Sequence, residues 1–225
     1  MALQRVLEPE VMDTESEARD YDSMDHSAVN QCFVSDLLNL CASPTNVLDL
    51  GTGTAQVPVA LCQRHADCRV LATDLATHML ELARYNVELA NLTDRIQLGH
   101  VDAKQLPYED ADFPLVMSNG IVHHIPDPSA MLGEAIRVTQ SGGFLFFRDL
   151  LRPADNDTLI KLVETYVGEE GEHARQMFED SLRAALSLNE VCELVSSFGF
   201  PTSTVQPTSD RHWTWATNRD SRSSQ

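Results

Sequence analysis

The chain has 225 residues, 43% of them hydrophobic, which is enough for one substantial core and too little for two of similar size. Sixteen basic against thirty-four acidic side chains give a formal charge of -18, which repels a phosphate backbone at long range and argues against a nucleic-acid partner. There is no run of about 18 apolar residues, no basic-then-apolar leader and no CxxC pair among the five cysteines, so the expectation is a soluble, cytoplasmic protein with no membrane span, disulfide framework or metal site.

The first 44 residues, including SAVNQCFVSDLLNLC, read as one or two helices ahead of a sheet, with Asp25 or Ser27 placed to cap a helix start. From about Asn46 to Asp149, short apolar runs alternate with longer stretches at helical spacing. The runs NVLDL, CRVLATD, RIQLGHV, PLVMSN and GFLFFRD are rich in Val, Leu, Ile and Phe without alternation, and predict strands covered on both faces. Between them, ATHMLELARYNVELAN sets Ala76, Met79, Leu80, Ala83, Val87 and Ala90 on one helical face. A strand, helix, strand rhythm repeated this often predicts an α/β fold: a doubly wound, mostly parallel seven-stranded sheet with right-handed crossovers.

Beyond Asp149 the rhythm breaks. ADNDTLIKLVETYVG and EHARQMFEDSLRAAL read as two helices inserted before the last α/β unit. Ser187 and Glu190 have the spacing of a capping box opening LNEVCELVSSFG, which Gly199 can close. RHWTWAT supplies a final strand with Trp213 and Trp215 on one face, and NRDSRSSQ reads as a frayed end.

The stretch VLDLGTGTAQVPVALC carries the first chemical signal. Gly51 and Gly53 fall at the carboxyl end of the first strand, where open α/β sheets bind ligands, and glycine lets backbone approach a ligand closely. The dinucleotide pattern G-x-G-x-x-G fails at Gln56. Asp49 would not help a pyrophosphate and would help a ligand bearing an ammonium group. Asp74 ends the next strand, 21 residues on from Gly53, and can accept both hydroxyls of a ribose; Asp102 and Ala103 after IQLGHV can meet an adenine edge. Taken singly, each has a structural alternative: a tight turn at the glycines, a helix cap at Asp74, a turn cap at Asp102.

From VLDLGTGTA through TDLATHMLELAR, VDAKQLPYEDADFPLVMSNGIVHHIPDP and GGFLFFRDL, the chain resembles the class I S-adenosylmethionine-dependent methyltransferases, on a Rossmann-like fold. The family's acid and first two glycines stand at Asp49, Gly51 and Gly53, with Ala55 in place of its last glycine. The resemblance implies S-adenosylmethionine as cofactor, held around Asp49, Gly51, Thr52 and Gly53. Asp74 would hold the ribose hydroxyls, Leu75 and Met79 border ribose and adenine, Asp102 and Ala103 meet the adenine, and Ser118 and Asn119 lie beside the methionine moiety. It implies methyl transfer to a small-molecule acceptor, within a single domain divided into a helical lid (1–44), a cofactor half (45–150), an insertion (151–187), a last α/β unit (188–217) and a tail (218–225). An enzyme that binds the cofactor without methylating, or a nicotinamide-dependent oxidoreductase, would share much of this pattern.

For catalysis, His123 and His124 in SNGIVHHIPDP stand where an acceptor could enter, each as a general base or as a brace for the loop. Asp149 is a second candidate base or acceptor contact. Tyr21 could close the site or start a surface helix. Met177, Phe178, Leu182 and Ala185 could line an acceptor pocket or pack in a core, and the same choice holds for Trp213 and Trp215, with Arg211 and His212 beside them.

Overall fold

The computed structural model describes residues 3–11 and 13–222. Seven strands form one sheet in the order β3-β2-β1-β4-β5-β7-β6. Strands β1 (Asn46–Leu50), β2 (Arg69–Asp74), β3 (Ile96–His100), β4 (Phe113–Asn119) and β5 (Thr139–Leu150) run parallel. Strand β7 (His212–Asn218) lies antiparallel between β5 and the short β6 (Val205–Pro207). The five parallel strands match the apolar runs; β6 is three residues ending in proline, too short to show a period.

Helices α3 (Gln56–Arg64), α4 (Thr77–Leu89) and α5 (Ser129–Val138) make the crossovers, and α2 (Ser27–Leu40) precedes the sheet. The chain winds outward from β1 to β3, then returns to lay β4 on the other side of β1. The winding reverses between β1 and β4, and the crevice opens above their carboxyl ends. Alternate residues of the strands feed two cores: Leu48, Leu145, Phe147 and Trp215 on one face, Val47, Leu115, Met117 and Phe146 on the other. With both faces covered, the strands carry no polar side, which is why their sequences lack alternation. Trp213 and Trp215 are core residues on one face.

Helix α1 (Glu15–Ser23) opens with a capping box at Thr14 and Glu17 and packs Ala18 against Ala76 and Met79 at the start of α4. Asp25 accepts from the Ser27 backbone N–H at 2.9 Å as α2 begins. Helices α6 (Asn156–Val167) and α7 (Glu172–Ala184) close on each other around Leu159, Leu162 and Leu182, with Leu3 and Phe178 packed against them. Phe178 and Leu182 therefore belong to a local core. Helix α8 (Leu188–Ser197) has the expected capping box, and Gly199 follows it at φ 85°.

The start of the tail expected to fray is hydrogen-bonded to the sheet. Arg219 donates its backbone N–H to the Gly143 carbonyl at 2.8 Å, and Asp220 accepts from Gly142 N–H at 2.8 Å, so the first part of β5 holds these residues. Residues 223–225 lie outside those described. Among the described residues, no helix is long and apolar enough to cross a membrane.

Candidate active site

Strand β1 delivers the chain into a loop of unusual backbone, with Gly51 at φ 70°, Gly53 at 55° and Ala55 at 60°. A Cβ on Gly51 would stand 2.6 Å from the Ile121 side chain, so glycine is required there by space as well as by φ. Ala55 takes the left-handed conformation without being glycine, at a cost of roughly 1–2 kcal/mol, and its methyl is fully buried. The core accepts that methyl, which explains how alanine stands where the resemblance expects the last glycine.

Beyond the loop lies a cleft of about 770 Å³, open to solvent, whose walls include Gly51, Gly53, Asp74, Leu75, Met79, Asp102, Ala103 and Asn119. A neighbouring pocket of about 350 Å³ is lined by Asp49, Thr52, Thr54, Asn30 and Asn119. Tyr21 borders both, coming within 3.7 Å of the place a Gly53 Cβ would occupy; burial pushes its phenol up to about 12. Eleven sequence-read cofactor residues thus meet at these two spaces. Ser118 does not: it is wholly buried and donates its hydroxyl to the Leu50 carbonyl at 2.8 Å, tying the ends of β1 and β4.

Asp74 caps the start of α4, the structural alternative read for it, and also borders the cleft. Its Oδ1 accepts the Ala76 backbone N–H at 2.9 Å and its Oδ2 that of Gly53 at 2.7 Å. Each carboxylate oxygen keeps a further lone pair, so the group is held rigidly and still able to take hydroxyls. Burial raises its pKa, and those backbone donors oppose the rise. Asp102 accepts the Lys104 N–H at 2.9 Å and faces its ammonium at 3.0 Å; burial works against its charge, but Lys104 outweighs that and lowers the pKa. The turn-cap reading therefore holds for Asp102 as well.

Asp49 is different. Its residue is 2% exposed, the buried Thr52 hydroxyl in the same pocket has no hydrogen-bond partner among the described residues, and no basic side chain faces Asp49 among them. Burial, with Asp74 adding to it, pushes the carboxyl up to about 7. A buried carboxylate without a cation is costly, and a pocket that holds one is suited to a positively charged group.

At the far end of the cleft, a short turn at Val122–His124 follows β4. Asp149, at the end of β5, accepts the backbone N–H groups of Val122 at 2.6 Å and His123 at 3.2 Å, and His123 Nδ1 at 2.5 Å. Its carboxylate is spent on the loop and 1% exposed, so the direct base or acceptor contact read for Asp149 has no opening to the cleft. His123 is also off the cleft wall: its ring lies between Asp149 and Glu8, whose Oε1 is 3.3 Å from Nε2. Burial lowers the His123 pKa and the two carboxylates more than reverse this. His124 stacks on His123 with ring centroids 4.1 Å apart and does line the cleft; burial and the His123 charge push it down to about 3.

Residues the sequence did not announce come from the first eleven. Arg5 donates to the carbonyls of Ala184, Pro126, His123 and Ile125 at 2.7 to 3.2 Å. Glu8 meets both histidines, and Glu10 pairs with Lys104 on the cleft wall. This extended strap has no period to read. Gln56, which breaks the dinucleotide pattern, bridges Asn30 at 3.1 Å and Asp22 at 3.2 Å, fastening the amino-terminal helices to the glycine loop.

Residues 48–147 match a family model described as a methyltransferase domain, the span from β1 to β5 that builds the crevice. The fold is shared with a S-adenosylmethionine-dependent methyltransferase from Aquifex aeolicus, at TM-score 0.68 and 17% identity over 90% of this chain and 97% of that one. Residues 48–147 belong to this methyltransferase domain family, and the chain as a whole has the fold of S-adenosylmethionine-dependent methyltransferases. Among curated methyltransferases it is 34% identical over 115 residues to the demethylmenaquinone methyltransferase of Deinococcus radiodurans, covering 51% of this chain and 47% of that one. It is 31% identical over 157 residues to the malonyl-[acyl-carrier protein] O-methyltransferase of Hahella chejuensis, covering 69% of this chain and 50% of that one. The chain spans about half the length of these methyltransferases or less. S-adenosylmethionine is the family's cofactor, and this crevice fits it: an unpaired buried acid for its ammonium, a glycine cradle, and a pre-held carboxylate for its ribose.

Proposed function

We propose that this chain transfers a methyl group from S-adenosylmethionine to a small-molecule acceptor. The observation that carries the reading is the pair of acids at adjoining strand ends, Asp49 buried without a cation and Asp74 pinned by two backbone donors with lone pairs to spare. In this reading Asp74 takes the ribose hydroxyls, Leu75 and Met79 border the nucleoside, and Asp102 and Ala103 meet the adenine. Asp49, Thr52 and the Gly51 and Gly53 backbone hold the methionine end with Asn119, Ser118 fixes the strand ends behind them, and Tyr21 closes the near side.

The bound cofactor supplies an activated methyl, so the protein's work is alignment, exclusion of water and handling of the acceptor's proton where it has one. His124 is the histidine on the cleft wall. With its conjugate acid near 3 it is neutral at pH 7 and retains an added proton poorly, so its part is to orient an acceptor through a hydrogen bond. His123 and Asp149 are positioning residues that hold His124 in place. A formal charge of -18 fits an acceptor other than nucleic acid.

The test is incubation of the protein with methyl-labelled cofactor and a pool of small metabolites, followed by a search for labelled products. Label in a product at enzyme-dependent rate is the expected result. Tight cofactor binding with no labelled product from any pool would replace the proposal with a cofactor-binding function.

A further inference from the structure

The contacts of Glu8 go beyond what holding a strap requires. One oxygen, Oε1, stands 3.3 Å from His123 Nε2 and 3.2 Å from His124 Nδ1, and the three atoms lie within 4.8 Å of one another. Zinc–nitrogen and zinc–oxygen bonds of about 2.0–2.1 Å set tetrahedral ligand atoms roughly 3.3 Å apart. The two separations from Glu8 Oε1 match that spacing. We propose that Glu8, His123 and His124 form a binding site for a divalent transition metal, zinc by donor type, at the acceptor end of the cleft.

Three further observations support the site. His123 Nδ1 is bonded to Asp149 Oδ1, which directs Nε2 at the cluster; a histidine ligand braced by a carboxylate in this way is the usual outer arrangement of a metal centre. His124 Nδ1 is buried and has no hydrogen-bond partner among the described residues although Glu8 is near, so its direction suits an atom lying between them. Charge also fits. Glu8 and Asp149 contribute two negative charges and Arg5, bonded to the neighbouring carbonyls, contributes one positive. A divalent ion carrying one anionic fourth ligand would balance the remainder.

His124 belongs to both the cluster and the cleft wall, so the ion would sit beside the space left for the acceptor. A hydroxyl or thiol of the acceptor taking the fourth position would lose its proton to water more readily, as zinc-bound water does. This supplies the proton removal that neither histidine offers on its own. The donor set of two histidines and one carboxylate matches catalytic zinc sites, which keep one position open.

The experiment uses the full chain, stripped with a chelator and dialysed. Zinc is titrated in against a competing metallochromic dye, and bound metal is counted by plasma mass spectrometry; cobalt is substituted to record its tetrahedral absorption bands. One equivalent of tight zinc is expected, weakened at least tenfold in Glu8→Gln and in His124→Asn, and 10- to 100-fold in Asp149→Asn. His78→Gln, altering an exposed histidine paired with Glu81, serves as a control and leaves the tight equivalent in place. Thermal unfolding of each metal-free variant establishes that it is folded. Wild-type protein that takes up no tight equivalent, or that binds zinc no better than Glu8→Gln, would overturn the proposal and leave His123 paired between two carboxylates as the account of the cluster. Because the readout is metal, its failure leaves the methyltransferase reading untouched, and failure of that reading leaves the metal count standing.

Discussion

In the cofactor half, Asp49 and Asp74 sit at or next to the ends of β1 and β2, and Asp102 follows β3, so each acid is placed by the strand before it. On the opposite side, Arg5, Glu8 and Glu10 come from an extended strap fixed by an arginine on four carbonyls and by carboxylates on His123, His124 and Lys104. The first surface is rigid because the sheet makes it so. The second is held by side-chain bonds that can be exchanged one at a time.

The contrast can be broken at the cofactor end first. Asp74→Ala removes the carboxylate that fixes Gly53 and Ala76 and faces the crevice, and should weaken cofactor binding by up to about 3 kcal/mol, roughly a hundredfold, by calorimetry. Unchanged affinity would remove the ribose assignment. Asp49→Asn should cost about 2 kcal/mol of affinity at pH 8. It also tests a sign. The Asp49 carboxyl lies near 7 in the free protein, well above its ordinary value, so the folded state loses stability as pH rises from about 4 to 7. The asparagine variant should therefore unfold at higher temperature than wild type at pH 8 while binding the cofactor less well. Wild-type affinity should fall below pH 7 as the carboxyl takes up a proton, and the variant's profile should be flatter; parallel profiles would show that Asp49 does not meet the ammonium.

On the strap side the effects should be smaller and should fall on stability. Arg5→Ala leaves four carbonyls without their donor and should cost about 1 to 2 kcal/mol in denaturant unfolding, with cofactor affinity changed by no more than about threefold. A large loss of cofactor affinity would mean that the strap shapes the crevice itself. Ser187→Ala, at the start of α8 and outside the cleft walls, removes one half of a capping box and should cost about 1 kcal/mol with no change in cofactor binding.

These two regions also differ in how far the sequence discloses them. The strands that end at the crevice are apolar runs, and a run buried on both faces is among the plainest patterns a sequence carries; the places of the glycine pair, Asp74 and Asp102 follow from it, and the capping box at Ser187 shows in its own Ser-x-x-Glu spacing. Ser118 could not be told from its neighbour Asn119 by type, since the difference is which face of β4 each occupies at the strand end. Asp149 looked like a base because it is an acid at a strand end, and only three dimensions show its oxygens committed to backbone and His123. The antiparallel insertion of β7 is invisible because a buried strand reads the same in either direction. Arg5, Glu8 and Glu10 are not legible in the sequence because an extended segment held by specific bonds has no periodicity, and its partners lie more than ninety residues away.

The central claim is that successive strand ends enclose an adenosyl sulfonium with its ammonium toward Asp49. A crystal structure of the full chain with S-adenosylhomocysteine tests it most directly. The account predicts ribose hydroxyls on the Asp74 carboxylate, adenine beside Leu75, Met79 and Asp102, and the amino group within hydrogen-bonding distance of Asp49 or one water removed. A nucleoside bound outside this crevice, or one with its amino acid end turned away from Asp49, would contradict it.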